Sequence, residues 1–169
     1  LGLRIVDLDE VARIDVTVDG ADEIGPDLVL IKGGGGALLR EKLVWEASDR
    51  CVVIADATKQ VNRLGAVPLP VEVVRFGHGT TMARIRAVLD GCGIHGPIEL
   101  RMRDGEPFVT ASGNLIYDAH CGAIGDPAAL AAQLKAVTGV VEHGLFLALA
   151  TECLVGKDGE VQRLGTGAP

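Results

Sequence analysis

Apolar and polar residues alternate near the start of the chain in a way that predicts short β-strands. In residues 14–21, Val16 and Val18 fall on one face and polar residues on the other, and β-branched types are frequent. Further apolar runs are predicted to be strands as well, at residues 4–8, 28–31 and 51–55. A helix is predicted at residues 37–47. Strands that alternate with helices indicate an α/β unit.

A different order of elements begins after Pro68 and Pro70. The pattern predicts a strand, a helix, two strands, a helix and a last strand, at residues 71–76, 81–89, 98–103, 108–118, 127–137 and 139–142. This βαββαβ order is that of a ferredoxin-like unit.

The chain is then predicted to return to the first sheet. Residues 145–150 and a hairpin over residues 153–164 supply the strands. We therefore expect an α/β fold with an open, mostly parallel Rossmann-like sheet and an inserted ferredoxin-like subdomain. The expected bounds are residues 1–68 and 145–169 for the α/β domain and 69–144 for the insert.

Two polar motifs follow predicted strands. Asp19-Gly20-Ala21-Asp22 ends one strand, and Lys32-Gly33-Gly34-Gly35-Gly36 ends the next and leads into the predicted helix. Ligands of open α/β sheets bind outside the carboxyl ends of the strands, so these motifs are expected to converge. A glycine-rich turn before a helix also presents N–H groups to an anion or a sugar oxygen.

The glycine run lacks the features of two common nucleotide-binding loops. A Walker A loop ends in Gly-Lys-Ser/Thr, whereas here Lys32 precedes the glycines and Ala37 follows them. A dinucleotide-binding turn needs a small residue where Leu38 or Leu39 stands. By itself the run is also compatible with a tight turn that lets a helix pack closely, and this interpretation stays open.

Glu41 falls on the apolar face of the predicted helix. Its neighbours at helical spacing are Ala37, Leu38, Val44 and Trp45. A carboxylate there is unfavourable unless it is paired or protonated. It could form a buried ion pair with an Arg or Lys, or it could be a general base whose pKa burial raises. We favour the base because the helix starts at the glycine run, so its second turn lies close to whatever that run binds.

Several segments of this sequence occur together in a known order. They are Asp19-Gly20-Ala21-Asp22-Glu23, Lys32-Gly33-Gly34-Gly35 with Arg40-Glu41-Lys42, and residues 55–61, 69–73 and 139–146. Together they resemble the signature segments of A-type ribose-5-phosphate isomerases, over nearly the whole chain. The resemblance implies a cytoplasmic, homodimeric enzyme of the pentose phosphate pathway. It would interconvert ribose 5-phosphate and ribulose 5-phosphate through a cis-enediolate, without a cofactor or a metal.

The resemblance also implies catalytic roles for three residues. Glu41 would be the base that carries a proton between C2 and C1. Lys32 would stabilise the developing oxyanion, together with the N–H groups of residues 33–35. Asp19 would help to open the sugar ring or would shuttle the hydroxyl proton.

The substrate-binding residues that the resemblance implies come from three segments, and they are Asp19, Gly20, Ala21, Asp22, Lys32, Gly33, Gly34, Gly35 and Lys59. Lys59 would lie near the phosphate end of the substrate. Two of the acidic residues, Asp22 and Glu23, could instead cap the turn after the strand, and Asp56 could order the loop of Lys59. An Mg²⁺ site formed by Asp19, Asp22, Glu23 and Asp27 is a further alternative, which the nearby Lys32 disfavours.

The family carries an N-terminal βα unit whose Thr/Ser-rich loop binds the substrate phosphate, and the sequence given begins at Leu1 without such a loop. We expect it to represent the C-terminal three-quarters of such an enzyme, with little activity of its own. The alternatives are a truncated inactive fragment and a non-catalytic sugar-phosphate-binding module, although a module needs no base at position 41. The His/Asp relay of a sugar-phosphate deaminase and the glutamate nucleophile of a coenzyme A transferase are not visible.

Composition narrows the class of partner to small molecules. A net charge of −7, with one Trp, one Tyr and three Phe, disfavours nucleic acid. No apolar run approaches the roughly 18 residues of a membrane span. The four cysteines are widely separated, so we expect free thiols in a reducing cytoplasm.

Overall fold

The computed structural model describes residues 2–165 of the 169-residue chain. The α-helices in this range are α1 (Leu38–Glu46), α2 (His78–Gly91) and α3 (Pro127–Lys135). The strands are β1 (Thr17–Asp19), β2 (Glu23–Ile24), β3 (Leu30–Ile31), β4 (Cys51–Asp56), β5 (Leu69–Val73), β6 (Ile98–Leu100), β7 (Met102–Arg103), β8 (Glu106–Pro107), β9 (Leu115–Ala119), β10 (Val140–His143), β11 (Leu145–Phe146), β12 (Glu152–Lys157) and β13 (Glu160–Leu164). Short 3₁₀ turns occur at Leu8–Glu10, Pro26–Leu28 and Ala57–Lys59. None of the helices in residues 2–165 has the length and apolar character needed to cross a lipid bilayer.

The main sheet has the strand order β1-β4-β12-β13. The central strand β4 runs parallel to β1 and to β12, and β13 closes the edge as an antiparallel hairpin partner of β12. A buried apolar run, Cys51 to Val53, opens β4, as is typical of a strand inside a parallel sheet. The predicted Rossmann-like sheet and the predicted hairpin are therefore confirmed.

The strand predicted at residues 4–8 is wrong. This stretch is irregular and largely exposed, and Ile5 has 95% of its surface in solvent. A strand is stable only when a neighbour accepts its backbone hydrogen bonds, and none of the described strands pairs with these residues.

Two strands predicted for the main sheet, at residues 28–31 and 145–150, belong instead to a small antiparallel sheet with the order β11-β3-β2. The run at residues 28–31 contributes only β3, and the run at 145–150 contributes only β11. A parallel return after β1 needs a crossover of about a dozen residues or more. Residues 20–29 are too short for this, so they form β2 and a 3₁₀ turn and fold back on β3.

The inserted unit has the strand order β10-β5-β9-β6, with every pair antiparallel. In the order of its own four strands this is 4-1-3-2, and α2 and α3 follow the first and third strands. The predicted ferredoxin-like arrangement is confirmed. A β7-β8 hairpin between β6 and β9 interrupts the two long strands that the sequence predicted. The exact domain bounds remain a prediction, and Leu1 and residues 166–169 lie outside the described range.

The small sheet lies between two hydrophobic cores. Leu30 and Phe146 pack into the core beneath the main sheet, which includes Trp45. Their neighbours Ile31 and Leu145 point to the opposite face and join the core of the insert. Since successive side chains of a strand alternate between faces, these two-residue strands bind the two halves of the fold together.

Candidate active site

All the residues predicted to be catalytic or substrate-binding lie around one cavity of about 240 Å³, between the end of β1, the end of β3 and the 3₁₀ turn that follows β4. The residues that line it are Asp19, Gly20, Ala21, Asp22, Lys32, Gly33, Gly34, Gly35, Glu41 and Lys59. The structure therefore brings the predicted set together, and the contacts within the set indicate what each residue can do.

Lys32 is the buried centre of this site. Its side chain is 4% exposed, and its Nζ donates hydrogen bonds to Asp19 Oδ2 at 2.9 Å and to the Gly20 carbonyl at 2.5 Å. Glu41 Oε2 lies 3.3 Å from the same nitrogen. The ammonium group is thus fixed in position by two acceptors before any ligand arrives.

Among the described residues, the carboxylate of Glu41 is held only by its ion pair with Lys32. Its side chain is 27% exposed, and Oε2, the oxygen that faces Lys32, is buried. Burial raises the pKa of Glu41; the charge of Lys32 opposes this shift, and the nearby carboxylates of Asp19 and Asp22 add to it. Both interpretations of Glu41 stay open, because it forms the ion pair and also lines the cavity with a raised pKa.

Trp45 orients Asp19 from one turn further along α1. Its indole Nε1 donates to Asp19 Oδ2 at 3.3 Å, and Asp19 Oδ1 accepts from the Gly20 N–H at 2.8 Å. The rings of Trp45 and Phe146 also lie 5.2 and 5.5 Å from Lys32 Nζ. Sequence reasoning counted Trp45 only as part of the apolar helix face, although it is also a hydrogen-bond donor to the site.

The glycine run is a turn that other side chains could not form. Gly33 and Gly36 have φ angles of +106° and +89°, and the Gly36 N–H donates to the Gly33 carbonyl at 2.9 Å. A Cβ atom on Gly36 would overlap the ring of Phe108, which belongs to the insert. The tight-turn interpretation is therefore correct for these two positions.

The middle of the run is available for binding. The Gly34 N–H donates to Asp22 Oδ2 at 2.7 Å, so the side chain of Asp22 holds the glycine run. Among residues 2–165, no acceptor takes the Gly35 N–H. The Gly35 N–H is thus a backbone donor on a residue that lines the cavity, just before the start of α1.

Lys59 closes one side of the cavity from its 3₁₀ turn. Asp56 caps this turn by accepting a hydrogen bond from the Thr58 N–H at 2.9 Å and another from the Thr58 hydroxyl. The hydroxyl of Thr58 is the main reason that the pKa of Asp56 is lowered. Asp56 therefore orders the Lys59 turn, as the sequence suggested.

Sequence reasoning missed two charged residues of the insert. Arg101 and Asp118 line a second cavity of about 330 Å³, which shares Asp22, Gly34 and Lys59 with the first. The available signal was weak: Asp118 interrupts an otherwise apolar run in β9. Charged residues in a predicted strand are usually solvated, so the pattern alone did not mark this pair.

The acidic cluster considered as an Mg²⁺ site is dispersed. Asp19 faces Lys32, and Asp22 accepts from the glycine run. Glu23 is buried and accepts from the backbone N–H groups of Gly65 and Val67, at 2.7 and 2.8 Å. Within the described residues, no three His, Cys, Asp or Glu side chains are grouped so that they could hold a metal ion.

Comparisons of the sequence with known proteins agree on one family. Residues 1–160 match the family model described as ribose 5-phosphate isomerase A (phosphoriboisomerase A). The ribose-5-phosphate isomerase A of Caulobacter sp. (strain K31) is 62% identical over 167 residues, which are 97% of this chain and 72% of that protein.

Solved structures give the same result. The chain is similar to ribose 5-phosphate isomerase from Plasmodium falciparum, with a TM-score of 0.85, 37% identity, and coverage of 92% of this chain and 67% of that one. It is also similar to a D-ribose-5-phosphate isomerase in complex with phospho-erythronic acid, with a TM-score of 0.84, 36% identity, and coverage of 95% and 69%.

Proposed function

The chain belongs to the ribose 5-phosphate isomerase A family, and we propose that it interconverts ribose 5-phosphate and ribulose 5-phosphate, a step of the non-oxidative pentose phosphate pathway. One observation carries the proposal: the Glu41 carboxylate, whose pKa is raised, lies 3.3 Å from the buried ammonium group of Lys32 at the wall of the cavity. An aldose–ketose isomerisation needs both groups, since a proton leaves one carbon while negative charge develops on a neighbouring oxygen.

Glu41 is the base in this proposal. It removes the proton from C2 of the open-chain aldose, and the electron pair of that C–H bond moves to form the cis-enediolate. The same carboxyl group then returns the proton to C1, which gives the ketose without any oxidant or reductant. A raised pKa favours this work, because a base is most effective when its pKa lies near the pH of the reaction.

Lys32 stabilises the oxyanion of the enediolate. Because its Nζ is already held by Asp19 and the Gly20 carbonyl, the charge needs no reorganisation when the transition state forms. The Gly35 N–H lies on the same cavity and adds a neutral donor.

Asp19, Asp22 and Lys59 bind the rest of the substrate. Asp19 is oriented so that it can open the sugar ring or move the hydroxyl proton between O1 and O2. Asp22 uses only Oδ2 toward the glycine run, which leaves Oδ1 for a sugar hydroxyl. Lys59 contacts the phosphate end. A module that only binds sugar phosphates would not need a carboxylate with a raised pKa, so we favour the enzyme.

The test follows the transferred proton in D₂O. With ribose 5-phosphate as substrate, ¹H NMR should show ribulose 5-phosphate with deuterium at C1, since an enediolate exchanges its proton through the base. Glu41→Gln should abolish the incorporation. Glu46→Gln is the matched control, because Glu46 lies exposed on the same helix and outside the cavity. The measurement uses the full-length protein that contains this chain, and binding of the substrate without turnover by that protein would favour the binding module.

We also propose that the enzyme is a cytoplasmic homodimer. The four cysteines are free thiols, which suits a reducing compartment. The dimer is supported by the family resemblance, and light scattering coupled to size-exclusion chromatography would measure it. A monomer at micromolar concentration would contradict the proposed dimer.

A further inference from the structure

Arg101 reaches from the insert to the glycine run of the site. Its Nε and Nη2 donate to the two carboxylate oxygens of Asp118, at 2.8 and 2.5 Å. Its Nη1 donates to the carbonyls of Gly33 and Gly34, at 2.8 and 3.1 Å. Both side chains are mostly buried. The forked guanidinium group thus joins the insert and the active-site loop through four hydrogen bonds.

We propose that Arg101 is a positioning residue for the isomerisation: by holding the carbonyls of Gly33 and Gly34, it aims the N–H groups of Gly34 and Gly35 at Asp22 and at the substrate. This inference rests on the proposed function and adds to it a part of the site that comes from the insert.

The geometry of the peptide unit supports this role. The peptide units of the glycine run are planar and trans, so the N–H of each unit points away from its C=O. Holding the Gly33 carbonyl directs the Gly34 N–H to the other side, where Asp22 accepts it at 2.7 Å. By the same rule, holding the Gly34 carbonyl directs the Gly35 N–H away from Arg101.

The loop needs such a restraint from outside. Glycine has the largest conformational freedom of any residue, and four occur in succession here. The turn has one backbone hydrogen bond of its own, from the Gly36 N–H to the Gly33 carbonyl. Without Arg101, the peptide unit between Gly34 and Gly35 could rotate, and the free N–H would leave the cavity.

A positioning role fits Arg101 better than direct substrate binding. Its charge is balanced by Asp118 in a two-point ion pair, and Nη1 is occupied by two carbonyls. Four of its five N–H groups are used in these contacts, which leaves a single N–H of Nη2, whereas an arginine that binds phosphate presents a two-point fork to the ligand. Loss of Arg101 should therefore weaken an interaction that forms in the transition state, and leave the binding of the ground state nearly unchanged.

The experiment compares Arg101→Lys with Arg86→Lys. Arg86 is the matched control because it also lies in the insert, pairs with Asp90, and donates to the backbone carbonyls of Gly96 and Ile94, but it lines neither cavity. We expect Arg101→Lys to lower kcat by about 10- to 100-fold with KM changed by less than about threefold, and Arg86→Lys to change neither. Amide exchange measured by NMR at Gly34, whose N–H is held by Asp22, should become about tenfold faster in the Arg101 variant alone.

A second test of the positioning role is chemical rescue of an Arg101 variant. Arg101→Ala leaves Asp118 free to bind guanidinium, so guanidinium chloride, at concentrations far below those that unfold proteins, should restore part of kcat. A rise in KM at constant kcat would overturn the proposal and make Arg101 a substrate ligand. Unchanged kcat and unchanged exchange would overturn it as well. If the full-length protein that contains this chain has no isomerase activity, the proposed function fails, whereas the exchange measurement still decides whether Arg101 holds the loop.

Discussion

Two lysine–glutamate clusters lie side by side in this fold, and α1 contributes consecutive residues to them. Glu41 faces Lys32 in the active site, while Lys42 faces Glu142 on the other side of the helix. Lys42 Nζ donates to Glu142 Oε1 at 2.8 Å and to the carbonyls of His143 and Leu145, at 2.9 and 3.0 Å. All three of its donors are therefore used, as for a purely structural ammonium group.

The carboxylates of Glu41 and Glu142 also differ in how many hydrogen bonds they accept. Glu142 accepts from Lys42, from Lys135 at 2.6 Å and from the His143 N–H at 3.0 Å. Burial alone would raise the pKa of Glu142, but these hydrogen bonds and charges together lower it to about 2. The pKa of Glu41 is instead raised. A buried lysine–glutamate pair is thus no sign of catalysis by itself, whereas a pair whose carboxylate has a raised pKa contains a candidate base.

The largest effect is expected when glutamate is replaced by glutamine in each of the two clusters. Glu41→Gln should lower kcat by roughly 10²- to 10⁴-fold, since it removes the base and keeps the shape. Its melting temperature should stay the same or rise, because a poorly satisfied charge is removed. Glu142→Gln should keep kcat per folded molecule and lose stability. Equal activity losses in the two variants would contradict the division into a catalytic and a structural pair.

A large loss of stability is expected from Lys42→Met. It leaves Glu142 without its buried partner, which should lower the free energy of unfolding by about 3 kcal/mol. Lys135→Met is the control, since its side chain is 53% exposed and should be worth less than about 1 kcal/mol. Urea denaturation measures both. The double variant Lys42→Met/Glu142→Leu should regain most of the loss, and failure to do so would show that packing, rather than charge, explains it.

At low pH, protonation of Glu142 should reduce the free energy of unfolding. Because its pKa is lowered from 4.5 to about 2 in the folded state, its stabilising contribution is complete above pH 4.5 and is lost as the pH falls toward 2. The free energy of unfolding should therefore drop by about 3 kcal/mol over this range from this residue. In Glu142→Gln the drop should shrink accordingly, and an unchanged acid profile would contradict the lowered pKa.

A smaller effect separates the two lysines of the cavity. Lys32→Ala should lower kcat by about 10- to 100-fold, because Lys32 acts on charge that develops in the transition state. Lys59→Ala should mainly raise KM, since it loses a contact already present in the ground state. Steady-state kinetics with ribose 5-phosphate would show the split, and the reverse pattern would exchange the two roles.

The smallest expected effect is a shift of the pH profile. The carboxylate of Asp22 contributes to the raised pKa of Glu41, so Asp22→Asn should move the acid limb of kcat/KM to lower pH. Glu142→Gln should leave this limb in place, because Glu142 belongs to the other cluster. A shift in the opposite direction would mean that the limb does not report the ionisation of Glu41.

The composition of the cavity could be predicted from the sequence because its residues lie in short motifs at the ends of local elements. Asp19 and Lys32 each follow a strand, and Glu41 lies on a helix that starts at the glycine run. Long-range pairings could not be predicted in this way. The pairing of β3 with β11 and the contact of Arg101 with the glycine run join segments that no local pattern connects.

The apolar pattern also does not predict which residues are buried in the folded chain. Residues 4–8 have the pattern of a strand, but they are not paired within the described structure. Lys42 shows the reverse case. A lysine side chain is usually solvated, but Lys42 is buried because three acceptors bind its ammonium group. The partners of Lys42 lie 100 to 103 residues away in the sequence, where no local pattern indicates them.

The small sheet between the two cores has a consequence for how the protein is made on the ribosome. Lys32 is synthesised early, but its N–H donates to the Gly144 carbonyl, and the neighbouring Ile31 pairs with Leu145. The segment that secures the lysine therefore emerges only after the whole insert has been translated. Because contacts between distant segments form late in folding, the nascent chain holds a fully translated aspartate motif and glycine run well before it can assemble an active site.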